Sequence, residues 1–244
     1  MTQMKKHAWV ISLAVLLAVL LALTKIIQPG FGASGIESLA RAALPFGFAT
    51  SGMAVVIIAG GIDLSVASMM AVCAVTTAVL MERMAGVPAV IIVLLAGVAM
   101  GAINGLLIVL TKVPDIVVTL AMLFVWEGVA MLILSSPGGS TADWLQGAIR
   151  GSLIFSWLPK AFLIIAMVLV LLWGPLQRTK LGLSIYAIGS DELAAFRSGI
   201  SIGPTKVAAY AICGLFCAFG GLSLAALTGI GEPVPGPYLM ASIA

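Results

Sequence analysis

Two carboxylates stand in apolar surroundings, where solvation alone does not account for them. Asp63 follows Gly60, Gly61 and Ile62 between two long apolar runs, and Glu127 precedes Gly128 inside a later one. A charged side chain at mid-bilayer costs about 2.5–3.5 kcal/mol on insertion scales, so each needs a partner or a polar cavity. For Asp63 two compatible readings are open. Gly60 and Gly61 can break a helix while Asp63 caps the next one. Alternatively, the broken end, with Ser65, lines a polar cavity on a translocation path. Asn104 either hydrogen-bonds across a helix interface or faces the same path. None of these residues forms a catalytic set. The sequence has no GxxxxGK[ST], HExxH or GxSxG pattern, and its one histidine, His7, lies near the N-terminus. Cys73, Cys213 and Cys217 have no His or carboxylate at metal-ligand spacing, and read as buried reduced thiols rather than a metal site. The chain is not an enzyme by these signs. Transport through it needs an ion gradient or an ATPase on another chain.

A second concentration of chemistry lies outside the apolar runs. The segment 178–206 carries Arg178, Lys180, Asp191, Glu192, Arg197 and Lys206. Within it, residues 190–199 have helix start and stop signals. Ser190 can cap the first amides, and Asp191 and Glu192 suit the positive end of the helix dipole. Arg197 suits the negative end, and Gly199 can take the left-handed conformation that stops the turn. Leu193 and Phe196, three apart, share one side. Such a helix is either local order in a solvated loop or a docking element for a soluble partner.

The elements that hold these residues follow from composition. The chain is 62% hydrophobic and 9% charged, against about 45–50% and about 25% in soluble domains. An all-α, polytopic membrane domain of about seven spans, single over 1–244, is the class that fits. Its small net charge of +3 makes nucleic acid an unsuitable partner. Spans are expected at about 8–27, 44–58, 64–81, 87–110, 116–134, 160–173 and 205–227, with 36–43 as a separate interfacial helix. Trp144 and Trp157 suit interfacial anchoring in the polar connection 135–157. Gly30, Gly32 and Gly35 match GxGxxG, but they follow a spanning helix rather than a strand, so the match is accidental. Gly97, Gly101 and Gly105 fall on one helix face and allow a second helix to approach closely. With the N-terminus in the cytoplasm, cytoplasmic segments hold Lys5, Lys6, Lys112, Arg178, Lys180, Arg197 and Lys206. The opposite side holds Lys25, Arg41, Arg83, Arg150 and Lys160. Segment 178–206 then faces the compartment that contains ATP.

Three ordered motifs carry a resemblance. GMAVVIIAGGIDLSVASMMA (52–71) resembles the GGIDLSVGS signature of the ribose-type permeases of ABC importers, with Ala67 in place of the usual glycine. NGLLIVLTKVPDIVVTLAML (104–123) and TKLGLSIYAIGSDELAAFRSGI (179–200) match further family motifs, the second being the cytoplasmic coupling segment. The resemblance implies a permease for a monosaccharide or similar small polar solute in a bacterial inner membrane. It implies a second permease copy or paralogue, cytosolic ABC ATPase subunits carrying ATP and Mg, and an extracytoplasmic sugar-binding protein. The chain itself would bind no cofactor, and membrane lipid would surround it. Residues 190–199 would be the coupling helix, and Asp63, Ser65 and Asn104 would lie near the core. Glu127 stands where the family generally has a basic residue. Family members continue for several helices beyond the position of Ala244, so a chain of this length is expected to lack them. An ion-gradient-driven secondary carrier is the alternative reading.

Overall fold

The computed structural model describes residues 2–84, 86–152 and 158–234. Trp157 and the stretch 235–244 lie outside the described residues. The fold is all-helical, with ten helices among the described residues: α1 (Thr2–Ile27), α2 (Ala33–Ile58), α3 (Val66–Arg83), α4 (Gly86–Thr111), α5 (Asp115–Ile133), α6 (Asp143–Ile149), α7 (Lys160–Arg178), α8 (Lys180–Ser190), α9 (Glu192–Arg197) and α10 (Ile202–Thr228). Seven of these, α1 to α5, α7 and α10, are long and apolar enough to cross a membrane.

Helix α10 is the centre of the bundle. Two thirds of an 18-residue apolar stretch of α10 is buried, as for α3, whereas that of α1 is not buried at all. Lipid chains are as apolar as leucine, so burial of apolar area cannot hold such helices together. Close backbone contact and hydrogen bonds must do so. The sequence of α10 provides that contact on several faces. A Cβ at Gly97 or Gly101 on α4 would run into the backbone of Gly214 or Tyr210, and one at Gly105 would lie 2.8 Å from the Val207 Cα. Gly221 sits against the Met70 carbonyl and Cys73 of α3. From α2, Gly52 faces the Cys213 carbonyl, where a Cβ would lie at 3.1 Å. Cys73, Cys213 and Cys217 are buried free thiols in this core.

Two expectations are corrected. Residues 36–43 are not a separate interfacial helix but the first turns of α2, which runs unbroken through Ile58. An i,i+4 ion pair between Glu37 and Arg41 supports that continuity, and Glu37 also accepts a hydrogen bond from the Gly151 amide at 2.8 Å. The segment after α7 holds two helices rather than one. Thr179 caps α8, its Oγ1 accepting from the Gly182 amide at 3.2 Å, and Gly182 lets α8 cross tightly over the Leu176 carbonyl of α7.

The α2–α3, α4–α5 and α7–α10 connections gather at one end of the bundle. Gly189 of α8 lies against the Ile58 carbonyl and Gly60, while Gly61 lies against Asp115 and Tyr210. At the other end, Gly138 and Gly231 exchange backbone hydrogen bonds of 3.0 and 2.8 Å, and Thr141 donates from Oγ1 to the Ala225 carbonyl at 3.3 Å.

Candidate functional site: a buried polar loop and an exposed helix

Chain direction reverses through 59–65, between α2 and α3. Gly60 takes φ +83°, a conformation that glycine adopts without strain. The side chains that follow turn into the bundle. Asp63, Ser65 and Asn104 are all completely buried. They form one polar chain. Trp126 Nε1–H donates to Asn104 Oδ1 at 3.1 Å, Asn104 Nδ2–H donates to Ser65 Oγ at 2.7 Å, and Ser65 Oγ–H donates to Asp63 Oδ1 at 2.6 Å. Every donor in the series points towards the carboxylate, so each bond polarises the next. The Ser65 amide also donates to Asp63 Oδ1, at 2.9 Å. Burial holds the Asp63 carboxyl above its ordinary pKa despite the lowering effect of the Ser65 hydrogen bonds. Its Oδ2 has no partner among the described residues.

This geometry corrects one detail of the capping expectation. Asp63 does not cap α3 directly. Ser65 occupies the cap position, and Asp63 forms a turn with the Ser65 amide two residues on. Asn104 spans from α4 to the loop, and the three glycines beside it on α4 pack against α10. Glu127 is half-buried in α5 and makes no hydrogen bond or ion pair among the described residues.

The site includes residues that sequence reasoning missed. Asp115, the first residue of α5, accepts a hydrogen bond at Oδ2 from Tyr210 OH at 2.9 Å. A Cβ at Gly61 would lie 2.7 Å from that hydroxyl and would also strike Asp115 Oδ2. Thr119, one turn further along α5, donates to the Ile62 carbonyl at 3.2 Å. One signal was available. A tyrosine within the small-residue stretch of α10 needs a hydrogen-bond partner when buried, and Tyr210 is 1% exposed.

Below this loop sits α9. Its cap is Asp191, not Ser190: Asp191 Oδ1 accepts from the Ala194 amide at 2.9 Å, whereas the Ser190 hydroxyl donates back to the Tyr186 carbonyl inside α8. At six residues the helix is shorter than the 190–199 expected, because Ser190 completes α8. Gly199 has φ +83°. Its amide donates to the Phe196 carbonyl at 2.9 Å and the Ile200 amide to the Ala195 carbonyl at 3.1 Å, a Schellman closure. Leu193 and Phe196 are 58% and 67% exposed, while Ala195 is buried. Glu192 is not free for an outside base, because its Oε2 pairs with Lys206 Nζ at 2.9 Å. Arg197 forms no ion pair among the described residues.

A reversed loop whose polar side chains are buried among seven apolar helices, with a capped helix exposed at the same end, defines an all-helical polytopic membrane protein. A family model described as the permease component of branched-chain amino acid transport systems matches residues 35–243, and the chain belongs to that family. It is 34% identical over 208 residues to the galactofuranose transporter permease protein YtfT of Escherichia coli (strain K12), covering 82% of this chain and 59% of that relative. To the ribose import permease protein RbsC of the same strain it is 30% identical over 194 residues, covering 76% of this chain and 59% of the relative. Against the autoinducer 2 import system permease protein LsrD of Escherichia coli O9:H4 (strain HS), 30% identity extends over 240 residues, 92% of this chain and 70% of the relative. The aligned part is thus about three fifths of the length of the first two relatives. No solved structure matches.

Proposed function

We propose that the chain is a permease subunit of an ATP-binding-cassette importer that moves a monosaccharide or a similar small polar solute inward. Each of the three relatives compared is named as an import or transporter permease, and two of the names specify sugars. The structural observation that carries the reading is α9, a helix closed at both ends that leaves Leu193 and Phe196 in solvent. A mere connector has no use for two large exposed apolar side chains on a rigid turn. A cleft on a cytosolic ATPase supplies the surface that would cover them, with Arg197 beside it to meet a partner carboxylate. The end of the bundle bearing α9 is then cytoplasmic, as is the N-terminus, and the membrane is the bacterial inner membrane. The chain hydrolyses nothing itself. ATP and Mg act on the partner ATPase, a second permease copy or paralogue completes the pathway, and an extracytoplasmic binding protein delivers the solute. The loop from Gly60 to Ser65, with Asn104, lies near that pathway.

The test is removal of the exposed ring. Truncating an interface anchor typically costs about 2 kcal/mol or more, which is roughly a 30-fold loss of affinity. Phe196→Ala in the full-length chain should therefore weaken ATPase retention in a pull-down by at least about tenfold, with membrane insertion and yield unchanged. D-ribose uptake into proteoliposomes containing the full complex tests the substrate class. ATPase retention equal to that of the unmodified chain would make α9 only a connector. Gradient-driven uptake by the chain alone would point to a secondary carrier.

A further inference from the structure

Helix α9 and the buried loop are joined through a short series of side chains. Glu192 on α9 pairs with Lys206 in the first turn of α10 at 2.9 Å. The Lys206 side chain is 21% exposed and that of Glu192 56%, so the pair lies at the edge of the bundle with its basic end partly covered. Tyr210 lies four residues further along α10, on the same helical face. Its hydroxyl donates to Asp115 Oδ2 at 2.9 Å, and both groups fill the space that a Cβ at Gly61 would take. Beside the ion pair, between the α4–α5 turn and the start of α10, is a cavity of about 450 Å³ lined by Lys112, Asp115, Glu192 and Lys206 among others. That space lets the pair move without a clash.

We infer that Glu192, Lys206, Tyr210 and Asp115 are positioning residues that pass displacement of α9 to the loop 59–65. The inference rests on the importer reading, because it takes docking at α9 as the input. The physical basis is that two links are short charge-assisted bonds, Glu192–Lys206 and Tyr210–Asp115, and that one turn of α10 joins them. A second route exists through α8, where Gly189 touches the Ile58 carbonyl and Gly60. The two routes differ chemically, since only the first contains an ion pair whose polarity can be exchanged.

The experiment uses the full-length chain with its co-purified ATPase in nanodiscs and ATP–Mg with vanadate as the probe. Leu64→Cys places a reporter in the loop at a half-buried position, the three native thiols are buried, and the unmodified chain gives the background labelling. Nucleotide should change the labelling rate of the reporter several-fold. Glu192→Lys and Lys206→Glu should each abolish that change, and the exchanged pair should restore it. Tyr210→Phe, which keeps the ring but loses the hydroxyl, should also abolish it while the ATPase stays bound. A purely structural role would lower the thermal midpoint of the variants and leave the nucleotide effect intact. The inference is overturned if either single variant keeps the effect, if the exchange fails to restore it, or if nucleotide never alters labelling although the ATPase binds. In those cases the importer reading survives. An ATPase that does not associate at all removes both.

Discussion

Gly101→Leu should abolish the folded protein in detergent, judged by the monodisperse fraction on size exclusion and by the thermal midpoint. The reason lies in the first atom added. A Cβ at Gly101 would already collide with the carbonyl of Tyr210 and lie 3.0 Å from the amide of Gly214, which are main-chain atoms that cannot rotate away. The two helices must separate. The contact is reciprocal, because a Cβ at Gly214 would collide with the Gly97 carbonyl and lie 3.0 Å from the Gly101 amide. Overpacking a core costs about 1–3 kcal/mol where side chains can adjust, and the cost here should exceed that range because none of the obstructing atoms is a side chain. Gly101→Ala should already be harmful. Gly128→Leu is the control: a Cβ there meets nothing within 4 Å, so equal apolar bulk should leave yield and midpoint unchanged. Equal behaviour of the Gly101 and Gly128 variants would refute close contact between α4 and α10.

The second large effect concerns Asp63, where two substitutions should separate. Asp63→Leu removes Oδ1, which accepts from both the amide and the hydroxyl of Ser65. A buried donor without an acceptor costs about 1–3 kcal/mol, and the loss also frees the end of the series that runs to Asn104 and Trp126. The thermal midpoint and solute uptake should both collapse. Asp63→Asn retains an oxygen where Oδ1 stands. Its amide nitrogen would replace Oδ2, an atom that has no partner among the described residues, so one unsatisfied group replaces another. The charge that burial disfavours is lost at the same time. The Asn variant should therefore keep a near-normal midpoint. Uptake then divides the roles. Normal uptake in Asn assigns Asp63 to shaping the loop, whereas loss at normal stability assigns the charge to the transport cycle. A normal midpoint and normal uptake in the Leu variant would remove Asp63 from the site.

Much of this protein was legible before any coordinates. Seven apolar runs of spanning length follow from composition, because a lipid-exposed backbone must satisfy its own hydrogen bonds and the helix does so within one segment. Most of their observed ends lie close to those expected, while α1, α2 and α7 run clearly longer. The glycine spacing on α4, the break at Gly60 and the left-handed stop at Gly199 were equally readable, since each reflects a local steric rule. The same rules failed by one residue at α9. Ser190 and Asp191 are both good caps, and what decides between them is that α8 extends far enough to include Ser190.

Tertiary structure alone decided which polar groups meet. Nothing in the order of residues says that Trp126 reaches Asn104, that Asn104 reaches Ser65, or that Tyr210 finds Asp115 across 95 positions of chain. Nor does it say that Glu192 is already paired with Lys206. Hydropathy and helical period identify a face on each helix but not the neighbour that the face meets. That choice is made by which backbones can approach closely enough, and here α10 makes it, through the small residues that bring α2, α3 and α4 against its main chain.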